Sequence, residues 1–161
     1  MRTNNGKVKN IIISVYFILI VLAIVLATVF RAFRDVTENS FLTFILIAAG
    51  FAVAFIVVHS ISKYFEYDSD GLKVIVINRG LLLSDYWNYR EHVVEFEKED
   101  LVAFKIKDYL IYKRLTLNIR LEDGSKKWEY FNVTLVPKRK LKFIKQSLSK
   151  MIKYNIKARN S

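Results

Sequence analysis

The sequence predicts a membrane α-helical hairpin joined to an antiparallel β-module that ends in one amphipathic helix. Three observations lead to this mixed fold class. Residues 11–30 and 41–62 contain no Asp, Glu, Lys or Arg. From Lys63 onward, apolar residues recur at every second position, which is the period of a half-buried strand. After Pro137 they recur at the spacing of a helix that buries one face.

The two uncharged stretches predict transmembrane helices, which we assign to residues 11–33 and 41–62 with a short connector at 34–40. Each is about 20 residues long, as a helix needs to cross the hydrocarbon core of a bilayer. A signal peptide is the alternative for the first stretch, because the preceding flank, residues 1–10, is basic. That stretch exceeds the apolar region of a typical signal peptide, and no small-x-small cleavage site follows it.

The distribution of positive charge predicts the orientation in the membrane. The formal net charge is +11. The N-terminal flank carries Arg2, Lys7 and Lys9 without an acid, and the module after the second stretch is rich in lysine. Because Lys and Arg are enriched on the cytoplasmic side of membrane proteins, we expect both termini in the cytoplasm. Arg31 and Arg34 near the connector oppose this orientation, although acidic residues follow them.

Small residues recur four positions apart in both predicted membrane helices. Ala23 and Ala27 lie in the first helix, and Gly50 and Ala54 in the second. Such spacing lets helix backbones approach closely in lipid, so these residues are candidates for helix packing, within the hairpin or between copies. Ala and Gly are also common in membrane helices without forming an interface. His59 lies near the cytoplasmic end of the second helix, where a capped or snorkelling side chain is the simpler interpretation.

The module, placed at residues 63–155, is predicted to contain about six or seven antiparallel strands, because alternating stretches are separated by turn residues. Asp123-Gly124 is the strongest hairpin signal. The side chains expected to face the core are Val94, Phe96, Val102, Phe104, Ile106, Leu115, Leu117, Ile119, Leu121, Phe131, Val133 and Leu135. Those expected on the opposite face include Thr116, Asn118 and Arg120.

A helix is predicted after Pro137, a favoured first helical residue. Its apolar stripe consists of Leu141, Ile144, Leu148, Met151 and Ile152. The opposite side carries lysine and arginine, and a basic tail is expected at residues 156–161.

This order of elements resembles the bacterial pleckstrin-homology-like (PH-like) domains. The matching stretches are YFEYDSDGLKV, FEKEDLVAFKIK, LTLNIRLEDGSKKWEYFNV and PKRKLKFIKQSLSKMI. The stretches DYWNYREHV and DYLIYKR depart from the commonest pattern. The resemblance implies a bent antiparallel barrel with a C-terminal helix, carried behind two transmembrane helices in the bacterial inner membrane. It implies a binding or scaffolding module and no reaction.

No catalytic, metal or cofactor motif is present. The absence of cysteine excludes disulfides and thiolate ligands. His59 and His92 fall in different predicted elements, and no nucleophile elbow, phosphate loop or zinc motif occurs. Glu95, Glu97 and Glu99 alternate along a predicted strand, as on a solvated strand face. We therefore expect no enzymatic activity, no metal and no cofactor.

The C-terminal region offers a basic candidate surface. From Pro137 onward it has nine basic residues and no acid. The residues selected as a patch are Lys138, Arg139, Lys140, Lys142 and Lys145. Such a cluster attracts anionic lipid or an acidic partner, although it also suits a solvated helix face. Nucleic acid is a weaker candidate partner, because no strand sequence shows the aromatic and basic pattern of an RNA-binding sheet.

Large aromatic residues form the second candidate surface. Trp128 and Tyr130 should lie on the strand face opposite Phe131, and Trp87 adds to the set. Exposed aromatics mark partner interfaces, although a loop or the bilayer headgroups could also cover them.

The missing linker between the second helix and the module leads to the functional expectation. It holds the module close to the membrane surface, which a docking subunit needs and a soluble catalyst does not. We expect a non-enzymatic membrane accessory or scaffold subunit that contacts other integral membrane proteins or its own copies. The alternative is a sensor of anionic lipid headgroups that uses the basic C-terminal helix.

Overall fold

The computed structural model of the 161-residue chain describes residues 1–32, 40–81 and 91–159. It combines helices with antiparallel sheets, as the sequence predicts. The chain divides into two compact units: a module made of Met1–Gly6 with Ile61–Ser161, and a helical unit, Lys7–Ser60.

The helical unit contains α1 (Lys9–Ala32) and α2 (Ser40–Ile61). Among the residues that the structure describes, one helical segment, Gly6–Leu26, is long and apolar enough to cross a membrane, and 6% of it is buried. Ile45–Ile61 is an apolar but shorter helical segment. One membrane-spanning candidate is thus present, near the N-terminus. Apart from Ser40, the first residue of α2, the predicted connector lies outside the described residues.

Within the described residues, the structure shows little packing around the small residues that we predicted to contact another helix. A Cβ atom built on Gly50 would meet nothing within 4 Å. Ala23 and Ala54 are half-buried, and the side chain of Ala27 lies outside the described set. The rings of Tyr16 and Phe55 are in contact in this unit, with centroids 4.6 Å apart. Close packing at Gly50, within the hairpin or between copies, therefore stays a prediction.

The first sheet of the module has the order β1-β2-β3-β4 and is antiparallel throughout. Its strands are β1 (Arg2–Asn4), β2 (Lys63–Asp68), β3 (Lys73–Gly80) and β4 (His92–Glu97). Strand β1 lies within residues 1–10, which the sequence pattern predicted only as a basic flank. That strand is held by Asn5, which is 2% exposed. The Asn5 side chain donates to the carbonyl of Lys63 at 2.9 Å and accepts from the amide of Phe65 at 2.9 Å.

A chain of polar side chains reinforces the β1–β2 pairing. The Arg2 Nε donates to Glu66 Oε1 at 2.7 Å, and the Tyr64 hydroxyl donates to Glu66 Oε2 at 2.6 Å. Burial, together with the hydrogen bond to Glu66, raises the pKa of Tyr64 to about 12. Burial alone would raise the pKa of Glu66, but its hydrogen bonds to Tyr64 and Arg2 outweigh that effect and hold the pKa below its ordinary value. Glu66 is therefore the ionised centre of this link.

The second sheet has the order β5-β6-β7 and is also antiparallel. Its strands are β5 (Leu101–Asp108), β6 (Lys113–Arg120) and β7 (Lys126–Asn132). The expectation that Val102 faces the core is wrong, because a bulge between Leu101 and Ala103 shifts the register. Leu101 is instead fully buried opposite Ile119, and the predicted alternation resumes after the bulge.

Three further burial expectations in this sheet need correction. Thr116 and Asn118 alternate with core residues as predicted, yet both are 7% exposed, since their strand is central and flanked by β5 and β7. Leu121 lies beyond the end of β6 and is 42% exposed. Because β7 ends at Asn132, Val136 is buried in place of Leu135, which is half-buried.

Helix α3 (Lys138–Arg159) packs on the strands with its predicted stripe. Ile144 and Leu148 are fully buried, and the other stripe residues are packed against the core. The helix runs to Arg159, so residues 156–159 are helical and not a separate tail. Those residues continue a helical pattern without a proline or glycine that would end it.

The two sheets approach each other without forming a closed barrel among the described residues. The Asn78 side chain of β3 donates to the carbonyl of Asn132 at 3.1 Å and accepts from its amide at 3.0 Å. One side chain thus replaces a strand pairing between the sheets.

Candidate interaction surfaces

The outer face of the second sheet combines aromatic and basic side chains. We call it the basic sheet face and define it as the outward positions of β5, β6 and β7: Ala103, Lys105, Lys107, Arg114, Thr116, Asn118, Arg120, Lys126, Trp128 and Tyr130. These positions follow from strand alternation, because Leu115, Leu117 and Phe131 between them belong to the core. Trp128 and Tyr130 are each 51% exposed.

The two acids of these strands both lie away from the basic sheet face. Asp108 pairs with Lys113 at 2.9 Å, and Glu129 pairs with Lys127 at 2.7 Å. Both pairs occupy the inward positions of their strands. Five basic residues therefore share the outer face with no acid, and none of them forms an ion pair within the described part of the chain: Lys105, Lys107, Arg114, Arg120 and Lys126.

Arg114, one of the cations of this face, contacts two aromatic rings. Its guanidinium carbon lies 5.1 Å from the ring centre of Tyr130 and 5.6 Å from that of Tyr109. Its Nη2 donates to the Tyr109 hydroxyl at 3.0 Å. Contact with two rings and one hydroxyl restrains the guanidinium, which lowers the conformational entropy lost when a ligand binds.

Two buried polar atoms on this face have no hydrogen-bond partner. They are Nε of Arg114, a donor, and Oδ1 of Asn118, an acceptor. Unpaired buried groups of this kind each cost about 1–3 kcal/mol. Because Arg114 and Asn118 are four residues apart in β6, about 13 Å, two separate groups, an acceptor and a donor, would be needed to remove that cost. The third predicted aromatic, Trp87, lies outside the described residues.

The strand register creates an aromatic and basic surface, although the sequence argument against nucleic acid was that no such pattern occurs. No single strand shows an aromatic and basic pattern, but β5 supplies lysines, β6 arginines, and β7 a lysine with Trp128 and Tyr130. Pairing of the three strands brings them onto one face.

The basic patch predicted on α3 is mostly solvent-exposed. Lys138, Arg139, Lys142 and Lys145 are exposed. Lys140 differs, because its Nζ donates to the carbonyl of Asn4 at 2.5 Å and so holds the end of β1. The patch is therefore a row of solvated cations, with Lys140 assigned to the fold.

A buried carboxylate on the inner side of the second sheet was not anticipated. Glu129 has an 8% exposed side chain and lies 3.0 Å from His92 Nε2 and 2.7 Å from Lys127 Nζ. His92 also stacks on Phe131, with ring centres 5.0 Å apart. Strand alternation between Lys127 and Phe131 was the available signal, since it puts Glu129 on the core side. The contacts give this carboxylate a structural role that links β4 to β7.

A groove of 590 Å³ runs between α3 and the loops at the ends of β2 and β4. Met151 and Asn155 line it, and Leu72 and Tyr154 are exposed at 92% and 68% beside them. Glu97, Lys98, Glu99 and Lys150 also line this groove, so its charge is mixed.

The described residues contain no cluster of three or more His, Cys, Asp or Glu side chains that could hold a metal ion. The arrangement of exposed aromatics, unpaired cations and half-buried grooves suits binding. No protein-family model, no curated protein and no solved structure matches this chain.

Proposed function

We propose that this protein is a non-enzymatic membrane accessory or scaffold subunit with a PH-like module and a two-helix membrane anchor. Two antiparallel sheets followed by a packed C-terminal helix support the PH-like assignment. The basic sheet face supports the docking role, because exposed tryptophan and tyrosine beside arginine are the residue types that most often anchor partner proteins.

The β1–β2 pairing is the observation that carries the two-span anchor. Gly6 and Ile61 flank the helical unit, and both belong to the module. A chain that leaves a module on one side of a bilayer and returns to it there crosses an even number of times. If Gly6–Leu26 spans the membrane, α2 therefore crosses back. Positive charge on the flank and module favours the cytoplasm of a bacterial cell for both ends.

We expect cysteine labelling to show an even number of membrane crossings, with both termini on the same side. In the cysteine-free chain, Thr37→Cys should react with a membrane-impermeant maleimide in intact cells. Ser161→Cys and Arg2→Cys should react only after the cells are opened. Arg2→Cys combined with Asp68→Cys should also cross-link, because the two residues are register partners. Labelling of Arg2→Cys and Ser161→Cys on opposite sides would refute the anchor.

The docking role predicts a discrete photo-cross-link at the basic sheet face. A photoreactive amino acid at Trp128 should yield one or a few adducts with other membrane proteins, identified by mass spectrometry. The same amino acid at Lys153, exposed on α3, is the matched control and should yield none of them. Identical adduct patterns at both positions, or none at Trp128, would contradict docking through this face.

The second candidate function is a sensor of anionic lipid headgroups. The exposed cations of α3 favour it, since Lys142, Lys145, Lys150 and Lys153 line a shallow groove of 530 Å³. Salt-sensitive recruitment of anionic lipid, lost when these lysines become glutamine, would place this function above docking.

A further inference from the structure

Among the described strand surfaces of the module, the basic sheet face carries a group of cations without acidic partners; exposed cations of α3 such as Lys142 also lack them within the described chain. Elsewhere on the strands, basic side chains have acidic partners: Lys73 pairs with Glu95 at 2.9 Å and Arg79 with Glu91 at 3.7 Å. On this face the cations are left without acids. Because the described fold does not pair their charge, these cations can receive an acidic partner from outside the chain.

The spacing of these cations is that of an extended chain. Lys105 and Lys107 follow each other on one face of β5, as Lys126 and Trp128 do on β7. Outward residues two positions apart in a strand are separated by about 6–7 Å. In a segment in strand conformation, side chains at alternate positions are separated by the same distance. Acids at those positions therefore match the spacing of one row of lysines.

The two unpaired atoms indicate which polar groups the ligand of this face must offer. The Nε of Arg114 needs an acceptor, and the Oδ1 of Asn118, a residue that is 7% exposed, needs a donor. A carboxylate would satisfy the first and a peptide N–H the second, once the side chains that cover these buried atoms move aside. The guanidinium of Arg114 already lies near the rings of Tyr109 and Tyr130, and such contacts restrain an arginine before it binds a carboxylate.

We propose that the basic sheet face binds an extended acidic segment of a partner protein. The segment's alternate carboxylates lie against the Lys105–Lys107 row and Arg114, and its apolar side chains pack on Trp128 and Tyr130. This inference rests on the proposed docking function and names the kind of partner sequence that the face accepts.

A direct binding measurement with the full chain in zwitterionic-lipid nanodiscs tests the proposal. The probes are a fluorescent peptide of alternating Glu and Thr, the same peptide with Gln for Glu, and a single-stranded oligothymidylate. We expect the Glu peptide to bind at least about ten-fold more tightly than the Gln peptide at low salt, and to weaken as salt rises.

Matched variants test whether the Glu peptide binds at the basic sheet face. Lys105→Gln, Lys107→Gln and Arg120→Gln together should weaken binding of the Glu peptide by about ten-fold or more. The control removes the same charge from α3 through Lys142→Gln, Lys145→Gln and Lys150→Gln, and should change affinity less than about two-fold. Equal losses in the two triple variants would show non-specific attraction and overturn the proposal.

Asn118→Leu separates a binding role from a structural one. Leucine has a similar volume and no unpaired acceptor, so the unfolding midpoint should stay the same or rise while the peptide affinity falls. Unchanged affinity in a folded Asn118→Leu variant would remove Asn118 from the site and contradict the proposal.

Three other results would also overturn it. Oligothymidylate that binds more tightly than the Glu peptide, and loses binding in the β-sheet triple variant, would identify a nucleic-acid surface. Self-association that the same variant abolishes would make the occupant a second copy. No binding of the Glu peptide, with the Trp128 photo-adducts still present, would refute the acidic segment while leaving the docking function in place. Absence of both the peptide binding and the Trp128 photo-adducts would refute the acidic segment and the docking function together.

Discussion

Phe131→Ala should lower the free energy of unfolding of the module by about 3–5 kcal/mol, the usual cost of removing a fully buried phenylalanine. Phe131 is 0% exposed in β7 and meets Phe65 of β2 edge-on, with ring centres 6.4 Å apart. It also stacks on His92 of β4. Truncation therefore opens a cavity where the two sheets meet.

Tyr130→Ala is the matched control, because it removes the neighbouring aromatic from the opposite strand face. Tyr130 is 51% exposed, so the expected loss is about 1 kcal/mol or less. Urea titrations of the solubilised full chain, followed by tryptophan fluorescence, measure both. Equal losses in the two variants would show that the strand has the opposite register from the one described.

Asn155→Ala should destabilise the module by about 2–3 kcal/mol, although the side chain it removes is small and polar. The Asn155 amide nitrogen lies 2.8, 3.1 and 3.0 Å from the carbonyls of Lys98, Glu99 and Leu101. The residue is 6% exposed. Its removal leaves carbonyls without a donor at the point where α3 meets the turn between the two sheets.

Asn155→Asp should be worse than alanine, because a carboxylate would face three carbonyl oxygens with no proton to donate. Tyr154→Ala changes the adjacent, 68% exposed residue and should cost about 0.5 kcal/mol or less. Thermal unfolding of the three variants ranks them. A variant Asn155→Asp as stable as the wild type would mean that the amide does not anchor the helix.

Periodic features of the fold were predictable from the sequence, because burial on one side imposes a period on the residues. The strands after Lys63 and the helix after Pro137 were found in this way. The turn at Gly124 was predictable for a different reason. Its φ of +80° is a backbone conformation that glycine adopts without steric cost.

The features that were missed depend on contacts between distant residues. The strand β1 is the short stretch RTN, which has no alternation of its own and becomes a strand only beside β2. The bulge at Val102 is visible only in the pairing with β6. Asn155 continues the stripe of Leu148 and Ile152 at helical spacing, so its burial could have been inferred, but not the three carbonyls it meets.

For the candidate site, composition identified Trp128 and Tyr130 but not the cations that accompany them. Lys105, Arg114 and Lys126 are far apart in the sequence and belong to three strands. Only the register decides that they share a face with the aromatics while Asp108 and Glu129 turn away from it.

The edge position of β1 also sets an order of assembly. Strands β2 to β7 pair with neighbours along the chain and can form as soon as that part is synthesised. Arg2 and Glu66 are 64 positions apart, so their contact closes a long loop that encloses both helices. Loop closure costs entropy that local hairpins avoid, and non-local pairing is slow for that reason. The first residues therefore join the sheet last, and until they do, the free edge of β2 is open to addition of a strand from another chain.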